Sequence, residues 1–556
     1  MKKLFTPLLL LAGLATITNK SDAQPLQLQW AKTITSTGAV FANQCAADPQ
    51  GNLYTTGNFT LVADLDPGTG VANFDETQGN TFLAKYDAQG NYLWAFQLDA
   101  NATNICVDNN GDVYISGNFD STADFDPGTG TSLLTSANTF DAFVAKYDAN
   151  GNYLNAFSIG GGSSETVAAL EADNSGNIII TGDFSDTIDI DPGAGTQLLM
   201  SNSGNDDAFI AKYSASGNLV YGFKLSTSGT DRGFCLAVDQ QDNIYAGGTF
   251  MSSMDFDPGA GTAIFTLPGI NGYLAKYDAA GNYLAGYAWD GTLYHVALDA
   301  SGNIFLAGRM SDSMDADPGA GVAMIYFTGF NDTWLAKLDA TGNHLYSKAL
   351  FGNSQYQSNG LNVNGLGSAY LYGFMTDTVD LNPGGSGGVF VAQGAQDAYF
   401  AKYDGNLALD NATSLASAGT DRIMDMYCAP GIAWLTGHYT GTIDIDLSSG
   451  TNNLTYTNTA AFIARYTDVG TAVPTLSTNN EAKIYSVGDR VIVDFSSFSK
   501  VNAEVKVTDM LGRTIAERTH SNNGMLNIDL TAIASQVCIV TININGNTQA
   551  VKVWIE

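Results

Sequence analysis

The chain has 556 residues, 45% of them hydrophobic and only 14% charged, with 61 Gly. That length exceeds one ordinary compact core, and the composition excludes a disordered chain or a charged helical bundle, leaving a turn-rich all-β protein. The formal net charge of −32 comes from 48 Asp and only 7 Glu; it argues against nucleic acid as a partner, and the Asp bias favours turns, where a short carboxylate caps nearby N–H groups.

Residues 1–23 open with Lys2 and Lys3, continue into an apolar run over 8–16, and place the small residues Ser21 and Ala23 before Gln24. This reads as a cleaved secretory signal, too short for the ~20 apolar residues of a spanning helix. No later run approaches that length, so no transmembrane segment is expected.

From Phe82 onward one motif recurs: FLAKYDAQGNYLWAF at Phe82, FVAKYDANGNYLNAF at Phe143, FIAKYSASGNLVYGF at Phe209, YLAKYDAAGNYLAGY at Tyr273, WLAKLDATGNHLYSK at Trp334, YFAKYDGNLALDNAT at Tyr399 and FIARY at Phe462. The seven copies stand 61 to 66 residues apart. Each unit begins with a short apolar strand ending in Asp, turns at D-x-x-G-N, and continues into a second strand such as VYISGNF. A DxDPGxG segment, the anchor strand, another D-x-x-G-N turn and a fourth strand follow. In D-x-x-G-N the Asp caps the turn and Gly supplies the left-handed residue of a bulged hairpin, so each unit is predicted to be a four-stranded antiparallel meander.

Four strands in ~60 residues suit a propeller blade better than a solenoid coil. Residues 26–34, LQLQWAKTI, have the pattern of a fourth strand, whereas the last unit stops after its third. The expected architecture over 24–466 is therefore a seven-bladed β-propeller closed by its N-terminal strand, which removes the open edge. A linker at 467–480 and a small β-sandwich of alternating strands at 481–556 complete the chain.

The GNxY and FVAK elements resemble the bacterial SBBP propeller repeats, and the strand order is similar to that of NHL propellers. That resemblance implies the fold and no single activity. VKVTDMLGRTI from Val505, followed by LNIDLTAIASQVCIVTININGNTQAVKVWI, resembles the C-terminal sorting domain of type IX secretion cargo. This resemblance implies the type IX secretion machinery as a partner, with the protein released or held at the outer-membrane surface after passing through the periplasm.

Each DxDPGxG copy puts two aspartates on one strand face: Asp64 and Asp66, Asp124 and Asp126, Asp189 and Asp191, Asp255 and Asp257, Asp315 and Asp317. Two readings follow. Paired carboxylates beside loop carbonyls begin a calcium site, although calcium takes six to eight oxygens. Alternatively Asp-Pro-Gly is a type II turn with Gly at positive φ, its flanks form an extra hairpin, and the Lys or Arg of the anchor strand neutralises an aspartate. The turn is the leading reading.

Motifs for catalysis are missing: four His (His295, His344, His438, His520) form no HExxH, and there is no GxSxG or P-loop. His438, Arg309 and Asp183 depart from the repeat, and each reads as drift. Trp30, Trp94, Tyr221 and Tyr346 share a fourth-strand position, where packing between units outweighs a glycan-stacking band. Five scattered cysteines read as buried small hydrophobes. The expected function is a secreted or cell-surface, non-catalytic binding module for a glycan or a surface protein. A polysaccharide hydrolase or lyase, and a structural adhesin or spacer, are the alternatives.

Overall fold

The computed structural model describes residues 26–468 except 138, 203, 329–331, 353–355, 366, 430 and 449, and, towards the C-terminus, 483–487, 490–494, 503–509, 513–521, 525–530, 536–544 and 547–555. The expected signal peptide at 1–23 and most of the expected linker at 467–480 lie outside the described residues. Contacts divide the chain into Pro25–Gly470 and a second unit holding Thr471–Glu556.

In the larger unit every sheet is antiparallel. The first four-stranded sheet is Val40–Ala47, Leu53–Phe59, Thr81–Tyr86 and Tyr92–Leu98, in chain order. The same order runs through Asn101–Val107 to Tyr153–Gly161, Glu165–Ala172 to Leu219–Leu225, Arg232–Val238 to Tyr283–Trp289, Thr292–Leu298 to His344–Gly352, and Tyr356–Val363 to Leu409–Leu415. A seventh sheet takes Arg422–Ala429, Ile432–Asp444 and Asn453–Thr467 from one end of the sequence and Gln27–Ser36 from the other. The first strand of each sheet contacts the first strand of the next, and Arg422–Ala429 contacts Val40–Ala47 in turn.

The repeat motifs have local physical causes. In the turn after Ala47, Asp48 Oδ1 accepts from the N–H groups of Gln50 (3.1 Å) and Asn52 (2.8 Å), and Gly51 sits at φ +80°. Every first strand carries a bulge: the register slips between Ala42 and Gln44, between Ala102 and Asn104, and at the matching place in the other five sheets. Opposite it, the Gly of the second strand lets the backbones close up, since a Cβ on Gly57 would lie 1.9 Å from the Phe41 carbonyl oxygen.

The second and third strands are buried on both faces, and apolar cores form between neighbouring sheets; Ile34, Val40, Phe59 and Phe82, for example, pack with Trp434 and Ile463. The predicted extra hairpins are present, as in Val62–Asp64 with Asn73–Asp75 and Thr187–Asp189 with Leu198–Met200. Three of them also hydrogen-bond to the last strand of the preceding sheet, as when Gly160 and Gly161 pair with Asp189 and Ile188.

The residue between the two aspartates plugs the core: Leu65, Phe125, Ile190, Phe256 and Ala316 are all 0% exposed, as is Leu381 between Asp380 and Asn382. The anchor tyrosine caps its carbonyl, as in Tyr86 to Leu65 at 2.9 Å and Tyr147 to Phe125 at 3.0 Å. In the fifth sheet the anchor ends in Leu338, which has no hydroxyl, and Trp289 Nε1 from the fourth sheet donates to Ala316 O instead, at 3.2 Å.

The smaller unit holds a three-stranded sheet (Lys483–Val487, Arg490–Asp494, Met525–Asp529) and a four-stranded one (Thr514–His520, Ala503–Asp509, Gln536–Ile544, Asn547–Ile555). Val491, Val505, Val507, Ile528 and Val540 share its core.

Candidate binding face

The ten acidic positions singled out from the sequence hold the hairpin loops. The first aspartate of each copy (Asp64, Asp124, Asp189, Asp255, Asp315) accepts through Oδ1 from the N–H of the second at 3.0–3.1 Å. The same oxygen accepts from the N–H eight residues on at 2.7–2.9 Å. The second aspartate (Asp66, Asp126, Asp191, Asp257, Asp317) accepts from the Gly two residues on at 2.8 Å, forming an Asx turn.

The loop is therefore not the expected type II turn: Gly68 and its counterparts do not take positive φ. Glycine is needed for space, because a Cβ on Gly70 would stand 2.1 Å from Asp66 Oδ2. The anchor lysine does not neutralise these aspartates either. In the first five sheets it pairs with the D-x-x-G-N aspartate of its own sheet, as Lys85 with Asp48 at 3.2 Å and Lys212 with Asp173 at 2.9 Å. Lys85 also donates to Ala149 O of the next sheet at 2.9 Å and lies 4.5 Å from the Tyr54 ring centroid.

As a calcium site the donor set does not fit: one oxygen of each carboxylate is committed to backbone N–H groups. Among the described residues no group of three or more His, Cys, Asp or Glu could hold a metal. The thermal midpoint of the full chain is expected to be the same in EDTA and in millimolar calcium, a comparison that a saturable rise would reverse.

Three of the four fourth-strand aromatics, Trp30, Trp94 and Tyr221, pack on the next sheet's turn. Trp30 Nε1 donates to Ala88 O and Trp94 Nε1 to Ala149 O, at 3.1 and 3.2 Å. Tyr221 lies against Gly281, and Tyr346 is 40% exposed. Trp94 also borders a cleft of about 460 Å³ with Asp126 and Tyr153. Four of the five cysteines, Cys45, Cys106, Cys235 and Cys538, are buried.

The topology separates two ends of the large unit. In a meander, the turns joining strands one to two and three to four lie at one end, and those joining two to three and four to the next sheet at the other. The first end carries the near-uniform D-x-x-G-N turns, while the second carries connections of varied length and the residues that break the repeat. Asp183, Arg309 and His438, separate departures in the sequence, hold one register position: each faces the residue that begins its first strand or adjoins that beginning (Thr166, Thr292, Arg422). The other sheets place Asn58, Asn118, Thr249 and Phe374 there.

Of the four arginines between residues 26 and 468, Arg465 replaces an anchor lysine and the other three, Arg232, Arg309 and Arg422, occupy this layer. Arg232 pairs with Asp206 at 2.6 Å. Arg422 donates from Nε to Gln396 Oε1 at 2.8 Å and lies 4.0 Å from the Phe374 ring centroid. His438 meets the Phe41 ring edge-on with centroids 4.8 Å apart; burial, and then Arg422, push its pKa down to about 4, so it is neutral at pH 7.

Buried acids accompany this end. Glu165, which opens the third sheet, is 0% exposed, and both its oxygens lack a donor in full hydrogen-bonding geometry among the described residues. Burial and then Asp141 raise its pKa from 4.5 to about 8, while Asp207 and Asp421 are raised to about 6, mainly by burial; Glu171, near the turn end of the same strand as Glu165, is raised to about 7, also mainly by burial. A carboxyl raised in the folded state keeps its full contribution below its unfolded pKa and loses it as pH rises through the folded value. The midpoint is thus expected to fall from pH 5 to pH 8, and Glu165→Gln to reduce the slope between pH 7 and 8, where Asp207 and Asp421 have already ionised. An unchanged slope in the variant would contradict this assignment.

No family model matches the chain. An uncharacterized WD repeat-containing protein of Acanthamoeba polyphaga mimivirus is 24% identical over 239 residues, which is 37% of this chain and 17% of that protein's length. Among solved structures, a protein of unknown function from Bacteroides caccae matches at TM-score 0.28 and 9% identity, covering 59% of this chain and 94% of that one. The extracellular domain of a hybrid two-component system from B. thetaiotaomicron matches at TM-score 0.17 and 9% identity, covering 96% and 99%. These likenesses carry no activity onto the chain. No helix among the described residues is long and apolar enough to cross a membrane.

Proposed function

We propose that residues 24–466 are a seven-bladed β-propeller closed by the N-terminal strand, and that 481–556 act as a type IX sorting domain behind a cleaved signal. The propeller works at the cell surface or outside it as a non-catalytic binding module for a glycan or a surface protein. The carrying observation is that departures from the repeat gather at one register position on one end, while the other end is held nearly invariant by turn chemistry. A rigid scaffold that varies its side chains at one end presents a recognition surface there. The ring of contacts between first strands, and the pairing of Gln27–Ser36 with Asn453–Thr467, support the blade count and closure.

The test is a glycan and surface-protein array probed with the secreted protein, with product analysis alongside. Binding without turnover, reduced by Asn58→Ala or Asn118→Ala and indifferent to Gln50→Ala or Gln89→Ala on the turn end, is expected. Chain cleavage would replace the module by a hydrolase or lyase, and binding insensitive to the variable end would remove the reading.

A further inference from the structure

We propose that Arg422, at the seam of the sixth, seventh and first sheets, receives the carboxylate of a sugar acid. This rests on the binding-module reading and names the chemistry of its ligand. In a chain with a net charge of −32, the buried anchor lysines meet carboxylates, and Arg232 meets Asp206. Arg422 differs. Its recorded side-chain partner is the neutral amide of Gln396, through Nε, and no carboxylate pairs with it among the described residues. Burial alone depresses its pKa, with no carboxylate opposing the shift.

The guanidinium is held on two sides. Gln396 fixes Nε, and the Phe374 ring, 5% exposed, has its centroid 4.0 Å from Cζ. The terminal N–H groups thus form a pre-oriented fork of the kind that matches a carboxylate in two parallel bonds, with little ordering left to do on binding. His438 beside it is 6% exposed and has an unpartnered, buried Nδ1. Neutral at pH 7, this imidazole adds a hydrogen-bonding atom without adding charge. Phe41, partly exposed against His438, supplies an apolar face next to the fork.

These parts select among anions. A polyanion would meet the field of the whole molecule, whereas a ligand with one carboxylate meets the fork at the smallest electrostatic cost. An apolar ring beside a bidentate cation suits a pyranose carrying a carboxylate better than an acetate-sized ion, which leaves that ring bare.

The experiment is titration calorimetry of the full secreted chain with glucuronic acid, glucose, acetate and inorganic phosphate. Glucuronate is expected to bind, and glucose, acetate and phosphate at least tenfold more weakly. Arg422→Gln should weaken glucuronate by about 10- to 100-fold, the usual worth of a charge-assisted bidentate pair, and Arg422→Lys by an intermediate factor. Because those variants alter packing on Phe374, Gln396→Glu is the second arm: it keeps shape, offers Arg422 an internal carboxylate, and should abolish glucuronate binding while the thermal midpoint holds or rises.

Equal binding of glucose or acetate, undiminished binding by Gln396→Glu, or no glucuronate binding overturns the inference. If another array ligand still depends on Asn58 or Asn118, the binding-module reading survives that outcome. If no ligand depends on the variable end, both fail.

Discussion

Replacing Asp468 with alanine is expected to lower the unfolding free energy by about 3–5 kcal/mol, the cost of leaving one member of a buried ion pair uncompensated. In the sixth sheet the D-x-x-G-N position that should carry the lysine's partner is Asn364, so Lys402 has no carboxylate from its own turn. Asp468, just past Asn453–Thr467 of the seventh sheet, takes the place: its Oδ1 lies 2.7 Å from Lys402 Nζ. Its other oxygen accepts from Asn364 Nδ2 at 2.5 Å and from the Tyr370 hydroxyl. Lys402 is 1% exposed and Asp468 6%. The double variant Asn364→Asp with Asp468→Ala restores the repeat's own carboxylate and should recover most of the loss in chemical denaturation. A single variant as stable as the parent would show that Lys402 is satisfied by other means.

Removal of residues 26–36 is expected to cost a large share of the 5–15 kcal/mol typical of a folded domain, and to make the protein aggregate. Seven residue pairs join Gln27–Ser36 to Asn453–Thr467, and Ile34 on that strand is 0% exposed between the seventh and first sheets. Without the strand, Asn453–Thr467 becomes an unpaired edge of the seventh sheet. The register places Gln27 opposite Thr467, so a permuted chain in which residues 26–36 follow 468 through a flexible linker should regain the lost stability. Size-exclusion chromatography and thermal melts of the trimmed and permuted proteins decide the matter: a trimmed chain that melts like the parent would mean the strand is dispensable, and closure with it.

Both predictions turn on partners far apart in sequence, which is where reading along the chain runs out. The D-x-x-G-N turns were legible because their hydrogen bonds span four residues, from Asp48 to Asn52. The extra hairpins were legible for the same reason. The Asp-Pro-Gly segment misled at the same short range: Pro-Gly suggested positive φ, whereas the Asp66 carboxylate caps the Gly68 N–H and leaves room only for glycine beside it. The lysine partner was misassigned because its true aspartate lies some 37 residues upstream, across two strands, as Lys85 and Asp48 do.

Asp183, Arg309 and His438 looked like drift for a related reason: only the bulged pairing of first and second strands gives them one register. Arg422 offered no signal, since a lone arginine in sequence says nothing about whether its partner is Asp206-like or Gln396-like.

Local chemistry, then, was determined by the sequence itself: period-two alternation, turn residues and the 61- to 66-residue repeat specify strands, hairpins and their number, because those interactions close within a few residues. The tertiary structure alone decided which charges meet, which glycine is crowded, and which repeat-breaking side chains share an end. Those depend on strands from different parts of the chain being brought to contact, Lys85 to Asp48 across two strands and Lys402 to Asp468 across two sheets, and no local propensity encodes that pairing.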